Sequence, residues 1–204
     1  MIEDMLNKIF NEDCLEGMKR IPDKSIDMIL CDLPYGTTRN KWDSIIPLEP
    51  LWEQYQRIIK DNGAIVLTAQ TPFDKVLGCS NLKLLKYEWI WEKTMSTGFL
   101  NAKKMPLKAH ENILVFYKKL PKYNPQMRIG FKPYSASRGD KNTNYGDFDN
   151  SYVSSSDGER FPIDVLKLKH DKEKLHPTQK PVALFEYLIK TYTNEGELVL
   201  DNCM

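Results

Sequence analysis

The sequence is poor in the residues that build metal centres and covalent frameworks. Its four cysteines, Cys14, Cys31, Cys79 and Cys203, are widely spaced, form no Cys-x-x-Cys pair and are accompanied by only three histidines. That usage argues against a zinc site and against a disulfide framework, so no metal is expected, and reduced thiols in a cytoplasmic protein are the simplest reading. Long apolar runs are also missing. No stretch is long enough to span a bilayer, and the acidic start Met1-Ile2-Glu3-Asp4 does not read as a signal peptide, so no membrane partner is expected. There is no excess of one charge: 29 basic and 28 acidic residues leave a net charge of +1, and only the distribution can speak about nucleic acid. No internal repeat is visible. What remains is an ordinary globular composition, 41% hydrophobic and 28% charged over 204 residues, which fits one domain with a real core.

The apolar residues are grouped into short runs separated by helical patterns. Ile26–Cys31 reads as a buried strand that breaks at Asp32-Leu33-Pro34-Tyr35, with Gly36 opening a loop. From Pro47, residues Leu48, Leu51, Trp52, Tyr55, Ile58 and Ile59 recur at helical spacing until Asp61-Asn62-Gly63, after which 64–68 reads as another buried strand. Strand, helix and strand in about forty residues make a βαβ unit, which points to an α/β fold with a mostly parallel sheet. Further strands are expected over 85–91, 112–117 and 198–200, with a short strand at Ile9-Phe10-Asn11. Asp13-Cys14-Leu15-Glu16 has the spacing of a capping box. Pro181 suits the first position of a helix whose apolar face is Leu184, Phe185, Leu188, Ile189 and Tyr192. Residues 118–174, rich in Asn, Ser, Gly, Asp and Lys and without periodicity, read as a functional insertion or a mobile segment.

Parallel sheets place their chemistry at the C-terminal ends of strands, which is where Asp32 falls. A carboxylate beside an aromatic ring suits a reaction at the exocyclic amine of a nucleobase. That nitrogen is a poor nucleophile because its lone pair is delocalised into the ring. Two acceptors, the Asp32 carboxylate and the Leu33 carbonyl held by Pro34, would favour a more pyramidal nitrogen with an available lone pair. Tyr35 would stack on a base taken out of the duplex.

Asp32-Leu33-Pro34-Tyr35 resembles the Asp-Pro-Pro-Tyr motif of S-adenosylmethionine-dependent DNA amino-methyltransferases of the N4-cytosine/N6-adenine family. Three further segments fall in the order of that family's β group: 11–16, 176–181 (His-Pro-Thr-Gln-Lys-Pro) and 198–201. The resemblance implies a Rossmann-like methyltransferase fold with an inserted target-recognition region, and S-adenosylmethionine as cosubstrate. It divides a single domain into a catalytic half over 1–117, an insertion over 118–174 and the start of a cofactor-binding half over 175–204. Asp32, Leu33, Pro34 and Tyr35 become the catalytic set. Asp13, Lys180, Pro181 and Asp201 become cofactor-binding residues, whose plainer roles would be an N-cap, a surface lysine, a helix-start proline and a strand-end carboxylate. Leu33 departs from the family's first proline. The Asp at the head of the motif points to N6 of adenine, with N4-cytosine as the alternative. The sequence stops before the family's Gly-rich cofactor loop, so the fold is expected to be incomplete and cofactor binding by these residues alone weak. Truncation to an inactive DNA-binding remnant, a homodimer and a complementing chain all stay open.

Double-stranded DNA is the implied partner. Between Lys93 and Lys132 nine basic residues face a single acid, Glu111, with Tyr117, Tyr123, Phe131 and Tyr134 among or beside them. Clustered bases with aromatics suit phosphate contact. Arg39, Lys41, Lys103, Lys104, Lys118, Lys119 and Arg128 are the DNA-binding candidates, and His110 and His170 read as surface or structural residues.

Overall fold

The computed structural model describes residues 2–138, 152–173, 175, 176 and 178–203. Ser151 of the polar segment, Pro177 of the 176–181 motif and Met204 lie outside the described residues. The chain divides into two compact units, one of Met1–Asn124 with Asp164–Met204 and one of Pro125–Ile163.

In chain order the first unit begins with α1 (Cys14–Met18), capped by Asp13, and β1 (Ile26–Asp32). It continues through α2 (Leu48–Ile58), β2 (Ile59–Ala69), α3 (Phe73–Ser80) and β3 (Leu85–Thr97) to β4 (Lys108–Phe116). The second unit holds β5 (Tyr134–Arg138) and β6 (Tyr152–Ser156). The chain then returns to the first unit as β7 (Val165–Leu168), α4 (Val182–Tyr192) and β8 (Val199–Leu200).

Six strands form one sheet in the order β7-β3-β4-β2-β1-β8. β1 is parallel to β2 and β8, and β7 is parallel to β3; only β4 runs against its neighbours. Helices cover both faces. Ile29 and Cys31 of β1 and Ile65 and Leu67 of β2 face α2 and α3, packing with Leu51, Tyr55, Ile58, Phe73 and Leu77. The alternate residues Met28, Leu30, Ala64 and Val66 face α4, packing with Trp89, Trp91, Leu184, Leu188 and Tyr192. A strand with two buried faces has no polar alternation, which is why β1 and β2 read as unbroken apolar runs.

Three expectations are corrected. Residues 9–11 form no strand, and Ile9 and Phe10 are exposed. The 61–63 stop is not a loop after the helix: α2 ends at Ile58, and the next five residues are a bulged start to β2, where the pairing jumps from Ile26–Ile59 to Met28–Ala64. Within 118–174 the chain forms β5, β6 and β7, and β7 joins the main sheet beside β3.

The second unit is built on the antiparallel β5–β6 pair. The Arg160 guanidinium lies 4.4 Å from the ring centre of Tyr134 and 5.4 Å from that of Phe131 and donates to the Lys132 carbonyl. Gly158 has φ of 112°, and a Cβ there would sit 2.7 Å from the Phe131 carbonyl oxygen, so no other residue fits that turn without a shift.

Candidate active site

One edge of the sheet gathers polar side chains from four strands. β1 and β2 are parallel, so Asp32 and Thr68 are paired at their C-terminal ends. β4 runs the other way, so its early residues Glu111 and Asn112 reach the same edge, with Asn112 opposite Ala69. β3 lies beyond, pairing Trp91 with Glu111 and carrying Lys93. Lys180, just ahead of α4, completes the group.

Lys180 Nζ is 2.7 Å from Asp32 Oδ2 and 3.3 Å from Glu111 Oε2, and Lys93 Nζ is 2.5 Å from Glu111 Oε1. The side chains of Lys93, Glu111 and Lys180 are each less than a tenth exposed. Charges so buried persist only when paired, and two ammonium groups here balance two carboxylates. Burial alone would push the Glu111 carboxyl up, but the ammonium groups of Lys180 and Lys93 outweigh it and hold the group below its ordinary range.

The Tyr35 hydroxyl lies 2.8 Å from Asp32 Oδ1, 3.0 Å from Thr68 Oγ1 and 3.4 Å from Glu111 Oε2. The Thr68 hydroxyl also donates to Asp32 Oδ1. Burial, followed by the charges of Asp32 and Glu111, drives the Tyr35 phenol well above its usual range, so it remains a donor. The Tyr35 ring stacks on Phe73 at 5.5 Å, and Lys180 Nζ lies over it at 5.2 Å. Lys180 thus occupies both an oxygen of Asp32 and the space over Tyr35.

The loop after β1 is pinned by a residue the sequence reading passed over. The buried Asp43 carboxylate accepts the backbone N–H groups of Gly36, Thr37 and Thr38 at 2.8, 2.9 and 2.6 Å. Burial opposes ionisation of Asp43, yet the bonds from Thr38, Gly36 and Thr37 hold its carboxyl below the usual range. Gly36 has φ of 66°, and a Cβ would meet Ile45 at 2.9 Å. Trp42 on the same loop meets His176 edge to face at 5.1 Å, tying the loop to the segment that carries Lys180.

Asp32, Tyr35 and Lys180 are therefore brought together. Leu33 is buried in the core, Pro34 is half-buried, and Pro181 is the N-cap of α4 rather than its first residue. Asp13 caps α1, its Oδ1 accepting the N–H groups of Leu15 and Glu16 at 2.8 and 3.2 Å. Asp201 follows β8, accepts the Cys203 N–H at 2.9 Å and is near enough to feel the charge of Asp32. Cys14 and Cys31, distant in sequence, both lie within hydrogen-bond reach of Cys203; that bond and burial push the Cys14 thiol up. Among the described residues no group of three or more His, Cys, Asp or Glu is arranged to hold a metal ion, and no helix is long and apolar enough to cross a membrane.

The basic candidates separate. Arg39 and Lys41 are exposed on the loop after β1, and Lys103 and Lys104 are exposed between β3 and β4, all at the edge that bears Asp32. Lys118 and Lys119 follow β4 at the opposite edge, where they lie 3.8 and 3.2 Å from Asp61. Arg128 belongs to the second unit, its guanidinium 5.1 Å from the ring centre of Phe131. Thr68, Lys93 and Glu111 are not site residues in the sequence reading, where Lys93 and Glu111 count only toward the basic cluster; the structure instead buries those two as an ion pair. Their one signal was a polar residue at the end or start of an apolar run, as in Glu111-Asn112 ahead of Ile113–Phe116.

A family model describing DNA methylases of the N6/N4 type matches residues 26–203. The chain belongs to the DNA methylase family. The chain is 26% identical to the type II methyltransferase M.BglII of Bacillus subtilis over 227 residues, which take in 96% of this chain and 59% of that protein. It is also 26% identical to the DNA adenine methyltransferase YhdJ of Escherichia coli (strain K12), over 95% of this chain and 69% of that one. The chain thus spans about three-fifths of the length of M.BglII. Among solved structures, the M1.HpyAVI–SAM complex has the same fold, with a TM-score of 0.59 at 22% identity, covering 95% of this chain and 81% of the other.

Proposed function

We propose that this DNA methylase transfers a methyl group from S-adenosylmethionine to N6 of adenine in a base extruded from double-stranded DNA, and that it falls in the β group of its family. The observation that carries the reading is the placement of Asp32 at the C-terminal end of β1 with Lys180 on one oxygen and Tyr35 on the other. The adenine assignment rests on Asp at the head of the motif and draws support from the name of YhdJ. The β-group assignment rests on the order of the segments, with 32–35 well ahead of 198–201.

The residues present fit the cofactor. The ends of the neighbouring strands β1 and β8 bear carboxylates, Asp32 and Asp201, whose negative charges suit a cationic sulfonium. Asp13, Lys180, Pro181 and Asp201 would hold it. Bound there, S-adenosylmethionine supplies an electrophilic methyl group.

The protein's own part is to position and polarise the amine. Asp32 Oδ2 and the Leu33 carbonyl accept hydrogen bonds from its two N–H groups, leaving the nitrogen lone pair available, and the proton the methylated amine must shed leaves by way of Asp32 Oδ2 to solvent. Lys180 must leave Asp32 Oδ2 for this, and Glu111, already 3.3 Å away, gives its ammonium another partner. The same movement clears Tyr35 for the base. The Tyr35 and Thr68 hydroxyls stay on Asp32 Oδ1 and fix the carboxylate's orientation. Arg39, Lys41, Lys103 and Lys104 are the phosphate contacts proposed at this edge, with Arg128 in the second unit.

The test is methylation of unmethylated plasmid DNA, followed by digestion to nucleosides and mass spectrometry. N6-methyladenine is expected, and none with Asp32→Ala. N4-methylcytosine would replace the adenine assignment, and methylation surviving Asp32→Ala would remove the mechanism.

A further inference from the structure

The β3–β4 hairpin runs past the sheet at the edge that holds Asp32, and its tip is apolar in an unusual way. Phe99 is 80% exposed and Leu100 99%, with Met95, Met105 and Leu107 also open to solvent. The tip is nevertheless ordered by its own backbone. The Asn101 N–H donates to Gly98, the Ala102 N–H to Phe99, and the Lys104 and Met105 N–H groups both to Asn101, at 2.8–3.0 Å. Gly98 supplies the positive φ, 88°, that starts the turn. The fold therefore holds two large apolar side chains outward on a firm turn. An exposed apolar patch of this kind marks a contact surface.

The charge around it selects the partner. From Thr94 to His110 there are three lysines, Lys103, Lys104 and Lys108, and no Asp or Glu. Lys108 Nζ donates to Gln70 Oε1 at 2.7 Å, tying the stem to the loop after β2, two residues beyond Thr68. An apolar tip flanked by lysines, anchored beside the site that must receive an extruded base, is complementary to a duplex opened at one position. Proteins that unstack DNA insert Phe, Leu or Met side chains between base steps.

We propose that the Gly98–Leu107 tip is a wedge that enters double-stranded DNA, with Phe99 and Leu100 against the bases left behind by the extruded nucleotide and Lys103 and Lys104 on the flanking phosphates. The proposal rests on the DNA reading of the active site and adds to it the device that keeps the base out. It predicts a preference for a duplex in which the gap already exists, because the cost of unstacking is then removed.

The experiment is fluorescence anisotropy of the full chain with a labelled duplex carrying one abasic position and with the same duplex intact, over a range of salt. The wild type is expected to prefer the abasic duplex by roughly 30- to 150-fold, the ratio that an unstacking cost of about 2–3 kcal/mol implies. The double variant Phe99→Ala, Leu100→Ala should lose that preference while keeping its salt dependence. Both residues are exposed, so the fold should survive, and circular dichroism checks this. Lys103→Ala with Lys104→Ala should weaken binding to both duplexes alike. A wild type that prefers neither duplex, or a double variant whose preference is unchanged, overturns the wedge and leaves the methyltransferase reading standing. A wild type with no salt-sensitive binding to either duplex overturns both. A concentration-dependent dimer in sedimentation, abolished by the double variant while the duplex preference is unchanged, would give the tip to a second copy of the chain and also overturn the wedge.

Discussion

Four charges in a row, Lys93, Glu111, Lys180 and Asp32, alternate in sign across the site, and all but Asp32 are almost fully enclosed. Taking Glu111 away leaves two ammonium groups with one carboxylate. Glu111→Gln is therefore expected to cost about 3–5 kcal/mol of stability, the usual penalty for leaving a buried charge unpaired, as read from urea unfolding. The pH dependence has a definite sign. Glu111 ionises below its ordinary value of 4.5 in the folded state, so its contribution is complete above about pH 4.5 and is lost as pH falls through the lower folded value. Wild type and Glu111→Gln should converge in stability on the acid side; curves that stay parallel would remove this account. Tyr35 separates two roles in the same way. Tyr35→Phe removes the bonds to Asp32 and Thr68, leaves the Thr68 hydroxyl alone on Asp32 Oδ1, and should cost about 0.5–1.5 kcal/mol of stability and only a small part of the methylation rate. Tyr35→Ala also removes the stacking face and should weaken kcat/KM by about tenfold or more, as a loss of roughly 1–3 kcal/mol of stacking implies. Equal kinetic losses in the two variants would deny the ring its role. Asp32 and Tyr35 were legible in the sequence because they are neighbours in it. Glu111 and Lys93 were visible only as members of the basic cluster, since strand register alone brings them within reach of Asp32.

The elements that the sequence announces are those buried on both faces. β1, β2, α2 and α4 owe their signal to continuous apolar runs or helical stripes, and each is found near its expected bounds except that β2 begins five residues early, at Ile59. β7 left no such mark. Val165–Leu168 is four residues in a polar stretch, and it is a strand because β3 offers it a free edge, Ile90 to Val165 and onward. Ile9-Phe10-Asn11 is the converse, an apolar pair with no partner strand, which ends exposed with the Arg20 guanidinium over Phe10. Local pattern proposes strands, and available partners decide them. The start of β2 makes the point measurable. Asn62-Gly63 reads as a helix stop, yet it forms a bulge that lets β2 resume pairing at Ala64. A Cβ on Gly63 would lie 2.7 Å from the Ile59 side chain and 2.8 Å from the Asp27 carbonyl oxygen. Gly63→Ala should therefore destabilise by about 1–3 kcal/mol through overpacking against backbone that cannot yield, seen as a lower urea midpoint with unchanged slope. A neutral or stabilising result would mean that the bulge relaxes freely.

At the scale of the molecule, the basic residues that look like one cluster in the sequence are divided by the direction of β4. Within the first unit, residues ahead of it lie at the edge with Asp32 and residues after it lie at the edge where β1 and β2 begin, while Arg128 and Lys132 belong to the second unit. Lys118 and Lys119 follow β4, and with Lys24 they surround Asp61. The bonds from Lys24 and Lys119 and the charge of Lys118 draw the Asp61 carboxyl down to about 2. These lysines lie beside a carboxylate at the opposite edge of the sheet from Asp32, out of reach of a duplex bound as proposed. If DNA lies along the edge with Asp32, replacing Lys103 and Lys104 with Ala should lower the slope of log K against log salt by about one for each phosphate contact removed. Lys118→Ala with Lys119→Ala should leave that slope unchanged and instead let the Asp61 carboxyl rise toward its ordinary value, which carboxylate titration by NMR would register. With the folded value nearer the ordinary 3.8, the small stabilisation Asp61 lends should shrink; it is still present above about pH 3.8, but its loss is complete at a higher pH than in the wild type. A larger drop in salt slope from the 118–119 pair than from the 103–104 pair would place the duplex on the opposite edge and separate DNA binding from the site at Asp32.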